Sequence, residues 1–515
     1  MKYRIYPTIG VARLGGSSEF FVGPEIPRHP GVDIDSQGNE TTVASYKGAD
    51  NRIKKQAARF RIFEFNDDGT GDGAPVELPA DATIEWKVGL ANKKSAVSRP
   101  GRPTWPESAW VPGTRPQILA GRANRHINPS PKTIEGADQN GVMFDDGACL
   151  NIPVPLGELR TDYSQNLMVL GADGVSKSVV TPAAELGDFY NNPDWFDDAA
   201  DGTVEAKIKL PDGNEITDIV PAWVVIAPPD FAPPIKGVIS LYDVLLQVGI
   251  SHFGVQLPAQ PSFTQHIFPL IQRASHLQWV QEDGNPANPG DEEWAKISTD
   301  WQELADDSAT AQTLREDTAE GVELVPAVLG RVRLQAFQRN QLSQWEQGNF
   351  NSDWTGIPQP SNKITAQGLT RTALEACVGQ GFYPGIEAGV IVTDRTLYDT
   401  SLPAFDFRIS HANLTAGDLT ALMAVPWQAD FLDCQKTWWP TQRPDKGHQQ
   451  SDPATFERWA RGLANPYEEA RKDMVDNFER LGFIVEKTIA TATGDQIVYL
   501  EDERDPAMPN SPSFH

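Results

Sequence analysis

Apolar and polar positions alternate in short bursts along the first 235 residues. In AARFRIFEF, Ala58, Phe60 and Ile62 are interleaved with charged neighbours, and in TVEAKIKL the residues Val204, Ala206, Ile208 and Leu210 repeat the pattern ahead of the turn PDGN. A period of two sends successive side chains to opposite faces, so both stretches predict half-buried strands. KYRIY at the start, ATIEWKVGLA around Trp86, QNLMVLGA around Met168 and AWVVIAPP around Val225 predict further strands. Short strands at irregular spacing predict antiparallel sheets in a sandwich or barrel-like body.

The pattern changes at APPDFAPPIKG, whose prolines suit neither helix nor strand. A boundary near residue 235 follows, with a β-rich domain over 1–235 and a mainly α-helical domain over 236–515. The fold class is α+β. VISLYDVLLQVG, the long LVPAVLGRVRLQAFQRNQLSQW and AQGLTRTALEACVG have helical spacing. Ser451-Asp452-Pro453 ahead of TFERWARGLA, and Asn465-Pro466 ahead of YEEARKDMVDNFERLG, each join a cap residue to a first-turn proline and predict two more helices. FIVEKTIATATGDQIVYLED predicts a closing hairpin, and EDGNPANPGDEEW and QGNFNSDWTGIPQPSN predict surface loops.

Charge narrows the partners. Forty-four basic against seventy acidic residues give a net charge of -26, which repels nucleic acid and anionic membranes. No stretch of eighteen apolar residues occurs, and the N-terminus lacks an apolar run after a basic start. A soluble protein is expected, cytoplasmic or exported by a route that leaves no standard signal peptide. Three widely spaced cysteines, Cys149, Cys377 and Cys434, form no CxxC and argue against a disulfide framework.

Signatures of common chemistries are missing: there is no GxxxxGK[ST], GxSxG or HExxH. NDDGTGDGAPVE, from Asn66 to Glu77, has calcium-loop spacing but strand-like flanks and an internal Pro75, so an acidic hairpin loop is expected. DWFDDAADG around Asp197 reads as a capped turn. Eight histidines give no ligand pair at helical spacing, and no metal site is expected.

The segment TAQGLTRTALEACVGQGFYPGIEAG is more specific. Leu369, Ala373 and Cys377 recur at i, i+4 and i+8, an apolar helix face, and Gly379 and Gly381 stop the helix directly after the cysteine. A thiol is thereby held at a helix end beside a tight aromatic loop. Further on, Trp438 and Trp439 precede Pro440, which drives the second tryptophan out of helical geometry and makes a rigid aromatic corner.

ACVGQGFYPGIEAG, FRISHANLTAGDLTALMAVPWQADF and WWPTQRPD together resemble the cysteine tryptophylquinone (CTQ) amino acid oxidases, the family of L-lysine 6-oxidase and glycine oxidase. IGVARLGGSSEFFVGPEIP, KKQAARFRIFEF, LGELRTDYSQNLMVLGADG and NNPDWFDDAADGTVEAKIKLPDG carry the resemblance through the front half. It implies an active site in the C-terminal half, with Cys377 thioether-linked to a tryptophan oxidised to an ortho-quinone; Trp438 and Trp439 both remain candidates. In such a cofactor an indole dione offers a carbonyl that a primary amine or amino acid attacks, and the resulting Schiff base acidifies the adjacent C–H. Dioxygen then takes the electrons, giving hydrogen peroxide, while hydrolysis releases ammonia. A neutral or anionic base is needed, and His411 and Asp430 are the candidates, His411 also for orienting substrate. The resemblance further implies a flavoprotein maturation partner, a homo-oligomer, and a carboxylate just upstream of the cysteine. Here Glu375 is the nearest, behind Thr372 and Ala373. Two other readings stay open: a binding or scaffold protein that keeps the fold without a quinone, and a CTQ enzyme acting on a peptidyl or carrier-bound amine.

Overall fold

The computed structural model describes residues 1–97, 111–281, 292–328, 333–379, 385–433, 441–450, 452, 455–460, 467–491 and 494–508. The front half is built from the predicted strands. We label β1 (Lys2–Tyr6), β2 (Ile9–Arg13), β3 (Lys55–Phe65), β4 (Thr83–Ala91), β5 (Leu167–Leu170), β6 (Ala200–Lys209) and β7 (Ala222–Ala227). Their central order is β5-β3-β2-β7-β6-β4, continued at both edges by short strands.

Most pairings are antiparallel, as the alternating pattern predicts; β4 and β6 stay in register from Asp201 opposite Ala91 to Lys209 opposite Thr83. A parallel pair lies at the centre. β2 runs parallel to β7, Ile9 opposite Trp223 through Arg13 opposite Ala227. Both strands are buried along their whole length, the usual setting for parallel pairs. Their C-terminal ends therefore point the same way, and Arg13 and Pro228 emerge together at one end of the sheet.

Helices follow the Pro-rich stretch. We label α1 (Leu241–His252), α2 (Gln312–Val328), α3 (Ala336–Glu346), α4 (Ala366–Glu375), α5 (Trp427–Asp433) and α6 (Tyr467–Asn477). Ser240 caps α1 in a reciprocal box with Asp243. Thr365 caps α4 by accepting the Gly368 N–H, and α4 lies on β1 and β2, where the Thr8 N–H donates to the Thr370 hydroxyl at 3.1 Å. One apolar cluster runs from Ile5 through Trp223, Leu245 and Cys377 to Tyr499, so a single core crosses residue 235.

The second half differs from expectation in three places. The predicted long helix is two: α2 ends at Val328, and α3 starts afresh at Ala336 behind a Gln335–Gln338 capping box. TFERWARGLA is not helical where it is described. Phe456–Arg458 is a strand paired with Lys446–His448, which joins the closing hairpin Phe483–Thr491 and Gly494–Asp502 in a four-stranded sheet. The local cap signal lost to sheet pairing there. The loop expected to run to Trp294 gives way to a short helix, Glu292–Lys296, with Trp294 buried.

Among the described residues no helix is long and apolar enough to cross a membrane. No group of three or more metal-ligating side chains is found among them either. The Asn66–Glu77 stretch is a hairpin loop in which Asp68 accepts from the Thr70 N–H at 2.9 Å and from its hydroxyl at 2.7 Å.

Candidate active site

α4 ends two residues earlier than its spacing predicts. Ala376 is the C-cap, and the Cys377 N–H reaches back to the Leu374 carbonyl at 3.2 Å in the tighter turn common at helix ends. The thiol still points along the helix, donating to the Ala373 carbonyl at 3.2 Å. The chain then crosses the start of α1: the Leu241 N–H donates to the Cys377 carbonyl at 3.1 Å and the Gly379 N–H to the Ile239 carbonyl at 3.0 Å. Gly379 is required by this close approach, because a Cβ there would lie 1.7 Å from the Ser240 oxygen. Gly381, the other expected helix stop, lies outside the described residues.

Cys377 sits among buried charges that the sequence reading did not include. Arg13, at the end of β2, donates to Glu387 at 2.8 Å, to the Ala376 carbonyl at 3.1 Å and to the Pro228 carbonyl at 3.0 Å. Glu387 accepts the Val378 N–H at 3.1 Å through its other oxygen. Burial works against the Arg13 charge, but Glu387 and then Asp230 outweigh it and hold the guanidinium ionised. Burial, then the Glu387 charge, pushes the Cys377 thiol well above its ordinary value, so it rests as a thiol. Burial also lowers Lys236, against the pull of Asp230. A charged residue at the end of an otherwise apolar strand was the one signal for Arg13 in IGVAR. Glu375, the expected upstream carboxylate, turns instead to Arg371, at 2.7 Å.

Trp438 and Trp439 lie outside the described residues, but both flanks of their segment are fixed. Phe431, in α5, packs edge-on against Phe231 with ring centroids 6.3 Å apart. Gln442 accepts the Phe231 N–H at 2.9 Å and donates through Nε2 to the Ala376 carbonyl at 3.1 Å. The residue beside Cys377 is thus bonded to the chain just beyond the tryptophan pair.

Asp430 and His411 are placed very differently. Asp430 is buried on α5 and lines a narrow cavity with Lys94, Ile226, Pro228, Gly385, Ile386 and Trp427. Pro228 and Ile386 border the Arg13–Glu387 pair, so Asp430 shares this end of the sheet with Cys377. The start of α5 is held by Asp197, which accepts the Trp427 N–H at 3.1 Å and pairs with Lys94 at 2.6 Å. The DWFDD segment, expected as a capped turn, is a buried anchor. His411 instead bonds the Ala222 carbonyl through Nε2 at 2.9 Å and meets Trp223 edge-on. Ala222 opens β7 and Pro228 follows its end; at about 3.3 Å per residue the two are roughly 20 Å apart. The structure does not bring His411 to Cys377. Burial lowers its pKa, so the ring is neutral and its Nε2–H serves the carbonyl.

Residues 6–226 match the family described as L-Lysine epsilon oxidase N-terminal, and residues 320–459 match the L-lysine epsilon oxidase C-terminal domain. The chain belongs to the L-lysine epsilon-oxidase family. The L-lysine 6-oxidase of Marinomonas mediterranea is 26% identical over 537 residues, spanning 84% of this chain and 71% of that relative. The fold is shared with the crystal structure of the L-Lys epsilon-oxidase from that organism, at a TM-score of 0.74 and 20% identity, covering 98% of this chain and 95% of that one. The structure of that enzyme's Schiff base intermediate with L-Lys aligns over the same shares at a TM-score of 0.73 and 21% identity. In this L-lysine epsilon-oxidase family member, Cys377 and Asp430 fall within the C-terminal family domain, whereas Arg13 comes from the N-terminal one.

Proposed function

We propose that this protein is a quinoprotein oxidase that deaminates a primary amine or amino acid on a cysteine tryptophylquinone built from Cys377 and either Trp438 or Trp439. The observation that carries the reading is the Gln442–Ala376 hydrogen bond, which ties the side chain of a residue just after the tryptophan pair to the residue before the cysteine. A buried thiol with no disulfide partner among the described residues suits a thioether sulfur. Making the thioether exchanges an S–H and an indole C–H for one C–S bond, and two electrons and two protons pass to an oxidant. A flavoprotein maturation partner is assigned that role.

The mature group supplies an electrophilic carbonyl for the amine and a place for two electrons. The chain's own residues do the rest. Asp430 is the base for the substrate C–H, because it is buried beside the Gly385–Ile386 turn; His411 is left as a tether of β7. The apolar walls given by Ile226, Ile386 and Phe431 exclude water from the reacting carbon. Overall, amine, dioxygen and water become aldehyde or keto acid, ammonia and hydrogen peroxide. The curated relative's action on L-lysine supports a terminal amine as the first substrate to try.

Peptide mapping by mass spectrometry after co-expression with a flavoprotein partner tests the reading. A Cys377 peptide joined to the Trp438–Trp439 peptide, with added oxygens on the indole, is expected. Unmodified peptides, and a Cys377 that alkylates fully under denaturing conditions, would overturn it.

A further inference from the structure

A buried ion pair is seldom kept for stability alone, because the loss of hydration offsets most of its attraction, and an apolar replacement of the same shape often serves as well. Arg13 and Glu387, with side chains 3% and 0% exposed, form such a pair. They also stand at an unusual address. Arg13 holds the carbonyl of Ala376, immediately before Cys377, and Glu387 holds the N–H of Val378, immediately after it. The cysteine's own N–H and C=O are taken by Leu374 and Leu241. Both peptide units around Cys377 are thus fixed from either side. Two of those four bonds come from one ion pair that bridges 374 residues of sequence. The same guanidinium also grips Pro228, which carries the edge of β7 into the arrangement.

We propose that the Arg13–Glu387 pair is the positioning clamp of the cofactor cysteine: it sets the backbone on both sides of Cys377 so that the thiol is presented for the proposed cross-link, and afterwards holds the thioether in place. The clamp rests on the cross-link reading above. Its two residues act through the peptide bonds of Cys377. Gln442 donates to the same Ala376 carbonyl that Arg13 holds, so one oxygen joins the turn before Cys377 to the side chain of a residue that follows the tryptophan pair in sequence. Covalent steps between held groups need their atoms within a fraction of an ångström of the reacting geometry, and an error of about 1 Å costs on the order of 100-fold.

The test compares the full chain, co-expressed with its flavoprotein, with Glu387→Gln, Arg13→Lys and the apolar double replacement Arg13→Met/Glu387→Leu. Cross-linked fraction is read by peptide mass, folding by circular dichroism and melting temperature, and thiol access by the rate of native-state alkylation of Cys377. Folded variants are expected to lose cross-link formation by at least about tenfold and to alkylate at least about tenfold faster. Arg13→Lys, which keeps the charge but not the fork of donors, is expected to fall short of wild type too. A folded double replacement, or a folded Glu387→Gln, that cross-links at the wild-type rate overturns the clamp. If the wild-type chain carries no cross-link, the oxidase reading fails by itself. The alkylation arm then decides the clamp: unchanged protection in the folded variants overturns it, and faster alkylation upholds it.

Discussion

Asp198 is a carboxyl group buried beside Asp197, with one oxygen accepting the Val175 N–H at 2.9 Å and the other without a partner among the described residues. Burial pushes its pKa up to about 8; the Val175 bond opposes the shift and the charges of Asp197 and Asp173 add to it. The folded state therefore binds a proton that the unfolded chain, at the model-compound value of 3.8, has already lost. Between those two values stability must fall as pH rises, and above about 8 the loss is complete. At about 1.4 kcal/mol per unit, the destabilisation grows from about 2 kcal/mol at pH 5 to about 5 kcal/mol at pH 7.5. Asp198→Asn keeps the shape and the acceptor for Val175 but cannot ionise, so its own cost is the same at both pH values. For 515 residues the unfolding entropy is about 1.1 kcal/mol per kelvin, so a relative change of about 3 kcal/mol is a relative shift of about 3 °C. Calorimetric scans of both proteins at pH 5 and pH 7.5 should show the variant gaining that much on wild type at the higher pH. A difference that stays constant within about 0.5 °C would mean that Asp198 ionises like an exposed carboxylate, and the argument from its burial would be wrong.

Asp430→Asn should leave the cross-link intact by mass while lowering kcat by about 100-fold or more, the usual scale for losing a general base; a variant within about threefold of wild type removes Asp430 from the chemistry. His411→Gln should change kcat/KM by less than about threefold, measured by peroxide release, since the ring bonds the far end of β7; a loss of 100-fold would return it to the reaction. The buried Trp427 indole N–H has no acceptor among the described residues, while its ring packs edge-on against Phe431 and Phe478. Trp427→Phe should therefore cost only packing, under about 2 kcal/mol in denaturant unfolding, and a loss above about 3 kcal/mol would reveal a hydrogen bond there.

Alternation records the two sides of a strand locally, so Phe60 and Val204 announce β3 and β6 from their neighbours alone, although the second face of β3 is largely buried too, Arg59, Phe63 and Phe65 included. β2 and β7 are parallel partners separated by some two hundred residues of chain, and no local pattern records who pairs with whom. The strand at Phe456 was misread for the same reason, since its partner Lys446–His448 and the closing hairpin, not its own spacing, make it extended. Around the site, the cysteine and its turn were legible because Gly379 is demanded by a backbone contact, though that contact with Ser240, rather than a change of φ, is the cause. Arg13 and Glu387 were not, because neither residue looks unusual until the fold sets them on adjoining peptide bonds.

The seat of Cys377 is drawn from residues 13, 228, 241, 387 and 442, so it comes into being only when nearly the whole polypeptide has been synthesised and folded. No nascent chain or excised fragment can display it. Under the proposed cross-link, the oxidant would accordingly have to work on the folded molecule, and the quality of folding would become the gate through which every active copy has to pass.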